Sequence, residues 1–283
     1  MSESGITERV LRRDRSIVLA AIATIFLVAA AYTIAGVGMP MSDVEMTGMR
    51  GTMPSDRAPS HMAEMPAMGM LTMPANWTPG YAALVFSMWW LMMVAMMLPS
   101  AAPTILLYST LQQKSAGAVS AAPLATVFLT GYLVVWAGFG FAATGLQWSL
   151  ELRGLVSPAR MALTSGLIGG CVLLAAALYQ LSPLKRVCLE HCRSPIQFLV
   201  ERRRAGLAGA FRMGLEHGAF CVGCCWFLMA LLFVGGIMNL YWIAGLAILV
   251  ALEKLAPIGR QIAKASSIVL GIAGLWMLWQ AVA

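Results

Sequence analysis

Residues 207–235 read LAGAFRMGLEHGAFCVGCCWFLMALLFVG, and this stretch decides the fold class. It is long enough to cross about 30 Å of hydrocarbon as a helix. Its only charges, Arg212 and Glu216, sit near its start. Six other segments have the same character: 16–37, 81–110, 123–149, 159–181, 238–253 and 262–282. Backbone polar groups in lipid must be paired internally, so helices are expected. The short alternating strands of a barrel are absent from the sequence. The expected fold is therefore all-α, a polytopic transmembrane bundle of about seven helices. The whole chain agrees, with 283 residues that are 60% hydrophobic and 11% charged. That composition excludes an ordinary water-soluble enzyme, a disordered tail and a small disulfide scaffold.

The formal charge of +7 reads as a topology signal rather than as an affinity for nucleic acid. With the N-terminus inside, 15 of the 19 basic residues fall on the inner side, including Lys185, Arg186, Arg193, Lys254, Arg260 and Lys264. The C-terminus is then outside, and the expected location is a bacterial cytoplasmic membrane. The apolar run of helix one is longer than a signal-peptide core, so it reads as a retained anchor. Three regions follow. Residues 1–37 form a cytoplasmic tail and first span. Residues 38–80 form a Met-rich extracytoplasmic loop. Residues 81–283 form a six-helix metal-binding domain, interrupted by a cytoplasmic loop at 182–206. In that loop the apolar residues after Pro195, followed by Arg202–Arg204, read as a short interfacial helix.

Sulfur carries the functional reading, with 21 methionines and 6 cysteines. Ten of the methionines lie between Met39 and Met73. A solvent-facing loop has no core for Met to fill. Thioethers are soft neutral ligands that suit Cu(I) and discriminate against Mg, Ca and Mn. The second span runs Met88-Trp-Trp-Leu-Met-Met-Val-Ala-Met-Met97, so Met92, Met93, Met96 and Met97 fall on neighbouring stripes. Pro99 and Pro103 follow and remove helix hydrogen bonds beside this cluster. Packing alone is the competing reading of these methionines.

In the opening stretch Met213, His217, Cys221, Cys225 and Met229 are spaced by four, with Cys224 beside Cys225. Residues four apart drift slowly around a helix, so these side chains form one winding stripe of metal-competent atoms. Gly214, Gly218 and Gly223 would let neighbouring helices approach closely. Glu216 is an ionisable group in a membrane helix and a proton-coupling candidate, with an ion pair to Arg212 as the structural alternative. In the inner loop Cys188 and Cys192, with His191 between them, can present two thiolates and an imidazole on one turn. Lys185, Arg186 and Arg193 would favour the thiolate form. Two Cys and one His suit a two- or three-coordinate Cu(I) site, or part of a zinc site lacking one ligand, and the methionine richness elsewhere favours copper over zinc. Cys171 reads as packing. No cysteine falls in an outer loop, so disulfide stapling is not expected.

The segments 88–100, 185–195 and 216–226 resemble a bacterial family of predicted metal-binding integral membrane proteins organised around a domain of unknown function. They carry, in order, a Met-rich helix, a CxxxC loop and an HxxxCxxCC helix. Met238-Asn-Leu-Tyr-Trp242 and Glu253-Lys-Leu-Ala-Pro257 are similar to its pattern too, so that the likeness covers about residues 80–280. The resemblance implies that Cys188, Cys192, His217, Cys221, Cys224 and Cys225 are family features.

The leading expectation is Cu(I) capture and transfer or transport. The ion would pass from the Met loop through Met92, Met96 and the His217–Cys225 stripe to Cys188 and Cys192. Binding or transport is favoured over catalysis, and no P-loop or ATPase signature is visible. Expected partners are the bilayer and a periplasmic or cytoplasmic copper chaperone or a membrane cuproenzyme, with an oligomer left open. The rival readings are a membrane thiol-disulfide oxidoreductase using Cys221, Cys224 and Cys225, and a non-catalytic subunit of a membrane complex.

Overall fold

The computed structural model describes residues 3–35, 77–116, 122–158 and 161–283. The ten loop methionines therefore lie outside the described residues. Helix α1 spans Glu3–Ala35, α2 Pro79–Ala116 and α3 Ala122–Leu152. A hairpin of two-residue strands, β1 (Val156–Ser157) and β2 (Ala162–Leu163), pairs antiparallel. Then come α4 (Gly166–Gln180), α5 (Pro183–Arg193), α6 (Pro195–Glu201), α7 (Gly206–Ala230), α8 (Leu232–Gly235), α9 (Leu240–Leu255) and α10 (Gly259–Val282).

The chain is an all-α bundle, as its apolar segments predict. Among the described residues five helices are long and apolar enough to cross a membrane: α1, α2, α3, α7 with α8, and α10. A sixth appears if α4 and α5, bent by 62° at their junction, count as one span. Of the seven expected segments, 159–181 is thus shorter than anticipated, and 238–253 keeps its length but lies two residues later. Helices of 15 and 16 residues in α4 and α9 reach only about 22–24 Å. The segment expected from residue 159 begins instead as the hairpin. Helix α4 starts only where the Ser165 side chain accepts from the Ile168 amide.

The expected inner loop is two helices. Ser182 caps α5 by accepting from Lys185 N, and Pro183 occupies its first turn. Pro195 opens α6, which buries Phe198 and Leu199 and leaves Ile196 and Val200 exposed.

Close helix contacts are made where glycine removes the side chain. A methyl on Gly214 would collide with the Phe128 carbonyl, and one on Gly131 with that of Phe211. Helices α3 and α7 therefore touch backbone to backbone. A methyl on Gly218 would lie 2.9 Å from Val135 of α3, and one on Gly223 2.8 Å from Cys188 Sγ of α5. All three glycines expected to admit a neighbour do so. The core between α2, α3, α7 and α9 holds Trp89, Met92, Met93, Met97, Phe128, Tyr132 and Trp136. Outside it, α10 exposes Ile268, Val269, Ile272, Leu275, Trp276 and Trp279. A continuous apolar face of this kind is unfavourable in water and suited to a bilayer.

Candidate metal centre

Helix α7 turns its four-residue stripe inward. Met213, His217, Cys221, Cys225 and Met229 are each at most 3% exposed, and Cys224 is buried with them. Arg212, Ala219 and Trp226 occupy exposed positions of the same helix. Periodicity predicted that these residues share one stripe, and the packing turns it inward.

Two of these thiols meet sulfur and charge from other helices. Met97 Sδ of α2 lies 3.8 Å from Cys225 Sγ. Lys254 of α9, only 5% exposed, places Nζ 3.0 Å from Cys221 Sγ, 3.2 Å from Ser100 Oγ and 3.9 Å from Met97 Sδ. Tyr132 of α3 brings its hydroxyl within 3.2 Å of Cys221 Sγ and donates to the Met97 carbonyl at 3.3 Å. Cys224 and Cys225 both donate to the Cys221 carbonyl, at 3.1 and 3.0 Å. Four helices thus converge on one buried thiol–thioether–ammonium cluster. Met92, Met93 and Met96 are buried in the same core.

A second group forms on the other edge of α7. Helix α5 lays Cys188 over Gly223 and brings Cys192, one turn on, beside Cys224 of α7. The two loop cysteines are accordingly docked on the cysteine helix rather than set apart from it. His191 stacks on Phe220 with 3.7 Å between ring centroids and meets Phe198 edge-on at 4.7 Å. His217 sits among Phe128, Tyr132 and Phe198, with centroids 5.6–6.0 Å away. His191 Nε2 and His217 Nδ1 are both buried without a hydrogen-bond partner. A buried nitrogen left unpaired costs about 1–3 kcal/mol, so each is available to a ligand that offers a partner.

The charges are arranged differently from expectation. Lys185 is fully buried and pairs with Glu253 Oε2 at 2.6 Å. Arg193 donates to the carbonyls of Glu253, Ala256 and Pro257. Neither is therefore free to serve the Cys188 and Cys192 thiols, because each already satisfies a buried acceptor at the foot of α9. Among the described residues, the cation in hydrogen-bond contact with a cysteine is Lys254. Glu216 is held by Arg202, Arg204 and Arg212 at 3.8, 3.2 and 3.5 Å, so the anticipated Arg212 contact exists within a larger arginine cluster. Cys171 is exposed on α4 rather than packed in the core.

Lys254 is the residue of this centre that sequence reasoning passed over. It stood in the Glu253–Pro257 motif but was counted as an inner-loop charge. Another missed chain lies at the far end of α3. There Trp77 donates to buried Glu151, Gln147 donates to the same carboxylate, and Trp89 donates to Gln147.

Among the described residues no three His, Cys, Asp or Glu side chains are grouped to hold a metal. The donors that do converge are a thioether and thiols, a set suited to a soft monovalent ion rather than to a four-ligand zinc site. Fold and centre together define a bundle of apolar helices around buried soft donors. Residues 86–277 match the model of the PpoB2 family, described as copper chaperone, and the chain belongs to that family. The match runs from α2 into α10 and takes in every donor described above, whereas α1 and the Met-rich stretch lie outside it. Neither the curated proteins nor the solved structures contain a match to this chain.

Proposed function

We propose that this protein is a multi-pass protein of the bacterial cytoplasmic membrane that binds Cu(I) and passes it between sulfur ligands. Its N-terminus is inside and its C-terminus outside, with residues 81–283 as the metal-binding domain. The observation that carries the reading is the approach of Met97 Sδ to Cys225 Sγ beside the Cys221–Lys254 contact. A bare cation in an apolar interior is prohibitive, and sulfur donors replace its hydration shell while a thiolate cancels its charge. Two thiolates around Cu(I) leave one negative charge, which the Lys254 ammonium is placed to balance. From there the Cys224, Cys192 and Cys188 group offers the next ligands across the α5–α7 contact. His191 and His217, both in contact with Phe198, supply imidazole nitrogens. The Met-rich stretch collects copper on the outer side, and a copper chaperone or a membrane cuproenzyme is the exchange partner. Proton coupling through Glu216 would first require that carboxylate to leave its three arginines.

The test is Cu(I) titration of the purified, reduced protein against a chromophoric chelator, with and without residues 38–76. Both proteins should bind copper, the shorter one less of it. Copper bound by neither discards the proposal. The crowding of Cys221, Cys224 and Cys225 within one turn of α7 favours one second reading, a thiol-disulfide oxidoreductase. A trapped mixed disulfide with a partner protein would support it.

A further inference from the structure

A cavity of about 230 Å³ opens away from the sulfur centre, between the end of α4, the start of α5 and the first two turns of α10. Its wall includes Gln180, Lys185, Arg186, Arg260 and Lys264, with Leu189 and Ala263 as apolar lining. Four cationic side chains and no carboxylate line it. Two of the four are already committed: Lys185 pairs with Glu253 at 2.6 Å, and Arg260 pairs with Glu190 at 2.8 Å. Arg186 and Lys264 are exposed, and no carboxylate pairs with either among the described residues. Gln180 supplies the complementary feature. Its amide nitrogen donates to Glu253 and Ser266, while its Oε1 is buried and accepts from nothing.

The cavity lies where two apolar helices end. Leu181, Leu184 and Ile258 stand exposed beside it, so its mouth borders both the apolar surface and the charged helix ends. A basic pocket at such a level, between helices, has the chemistry of an anionic headgroup site. We propose that it binds the headgroup of an anionic phospholipid. Arg186 and Lys264 neutralise the phosphodiester, a headgroup hydroxyl donates to Gln180 Oε1, and the acyl chains leave along Leu181 and Leu184. A choline headgroup offers neither net negative charge nor a donor. The site is independent of copper, because none of the sulfur donors lines it.

The experiment is native mass spectrometry of the detergent-purified protein with phosphatidylglycerol or phosphatidylcholine added, repeated on the Arg186→Gln, Lys264→Gln double variant. Both positions are exposed, so the variant should fold, and its circular dichroism should match the parent. Phosphatidylglycerol should be retained preferentially, and the double variant should lose about thirtyfold in that preference, five- to sixfold for each cation. Equal retention of the two lipids, or a preference untouched by the double substitution, would overturn the proposal. Displacement of the lipid by millimolar inorganic phosphate would overturn it as well, reassigning the cavity to a soluble anion.

Discussion

Lys254 is the side chain whose position most changes the meaning of its neighbours. A lysine this deeply buried must have compensating contacts, and here they are Cys221 Sγ, Ser100 Oγ and Met97 Sδ. If its ammonium balances a negatively charged copper–thiolate centre, Lys254→Met should weaken Cu(I) binding by about ten- to a hundredfold, the worth of one charge-assisted contact. Competition against a Cu(I) chelator reads this directly, and an unchanged affinity would leave Lys254 a packing residue. The stripe from Met213 to Met229 was legible in the sequence because a four-residue step on a helix can only be one face. Lys254 was not. A cation at the end of an apolar segment looks like a topology signal, and only the packing of α9 against α2 and α7 turns it inward. Lys185 was misread for the same reason, since its partner Glu253 is far away in sequence and close only in space.

At the scale of the helix, the centre depends on how closely α3 approaches α7. Tyr132 reaches Cys221 because Gly131 and Gly214 allow backbone contact between the two helices. Gly214→Ala places a methyl against the Phe128 carbonyl and should cost about 1–3 kcal/mol or more, since an overpacked crossing must open. Gly138→Ala, on the same pair of helices but with nothing within 4 Å, should be neutral. Thermal denaturation of the two variants in detergent checks the contrast, and equal losses would contradict it. The glycines were readable as contact points, but their partners were not, because spacing says which face is small and nothing about what meets it. The hairpin at residues 156–163 and the 62° turn between α4 and α5 were hidden for another reason. Composition marks only an apolar segment ending at residue 181 and a charged loop after it, whereas the caps at Ser165 and Ser182 decide where α4 and α5 start.

For the whole molecule, sulfur from distant segments among the described residues meets in one buried core. Methionine comes from α2, the cysteine stripe from α7, and the Cys188–Cys192 pair from α5 folded back by its bend. An apolar helical bundle is legible from hydropathy because lipid allows few alternatives. The convergence within it is not, because it depends on the order in which helices pack. Membership of the copper chaperone family gives that convergence its chemical sense. X-ray absorption at the copper edge of the Cu(I)-loaded protein, compared with the Cys221→Ser, Cys225→Ser double variant, tests the account most directly. Sulfur should dominate the first shell of the parent, and the double variant should lose both that shell and most of its copper. A shell of oxygen and nitrogen alone, or one unaltered by the two substitutions, would contradict it.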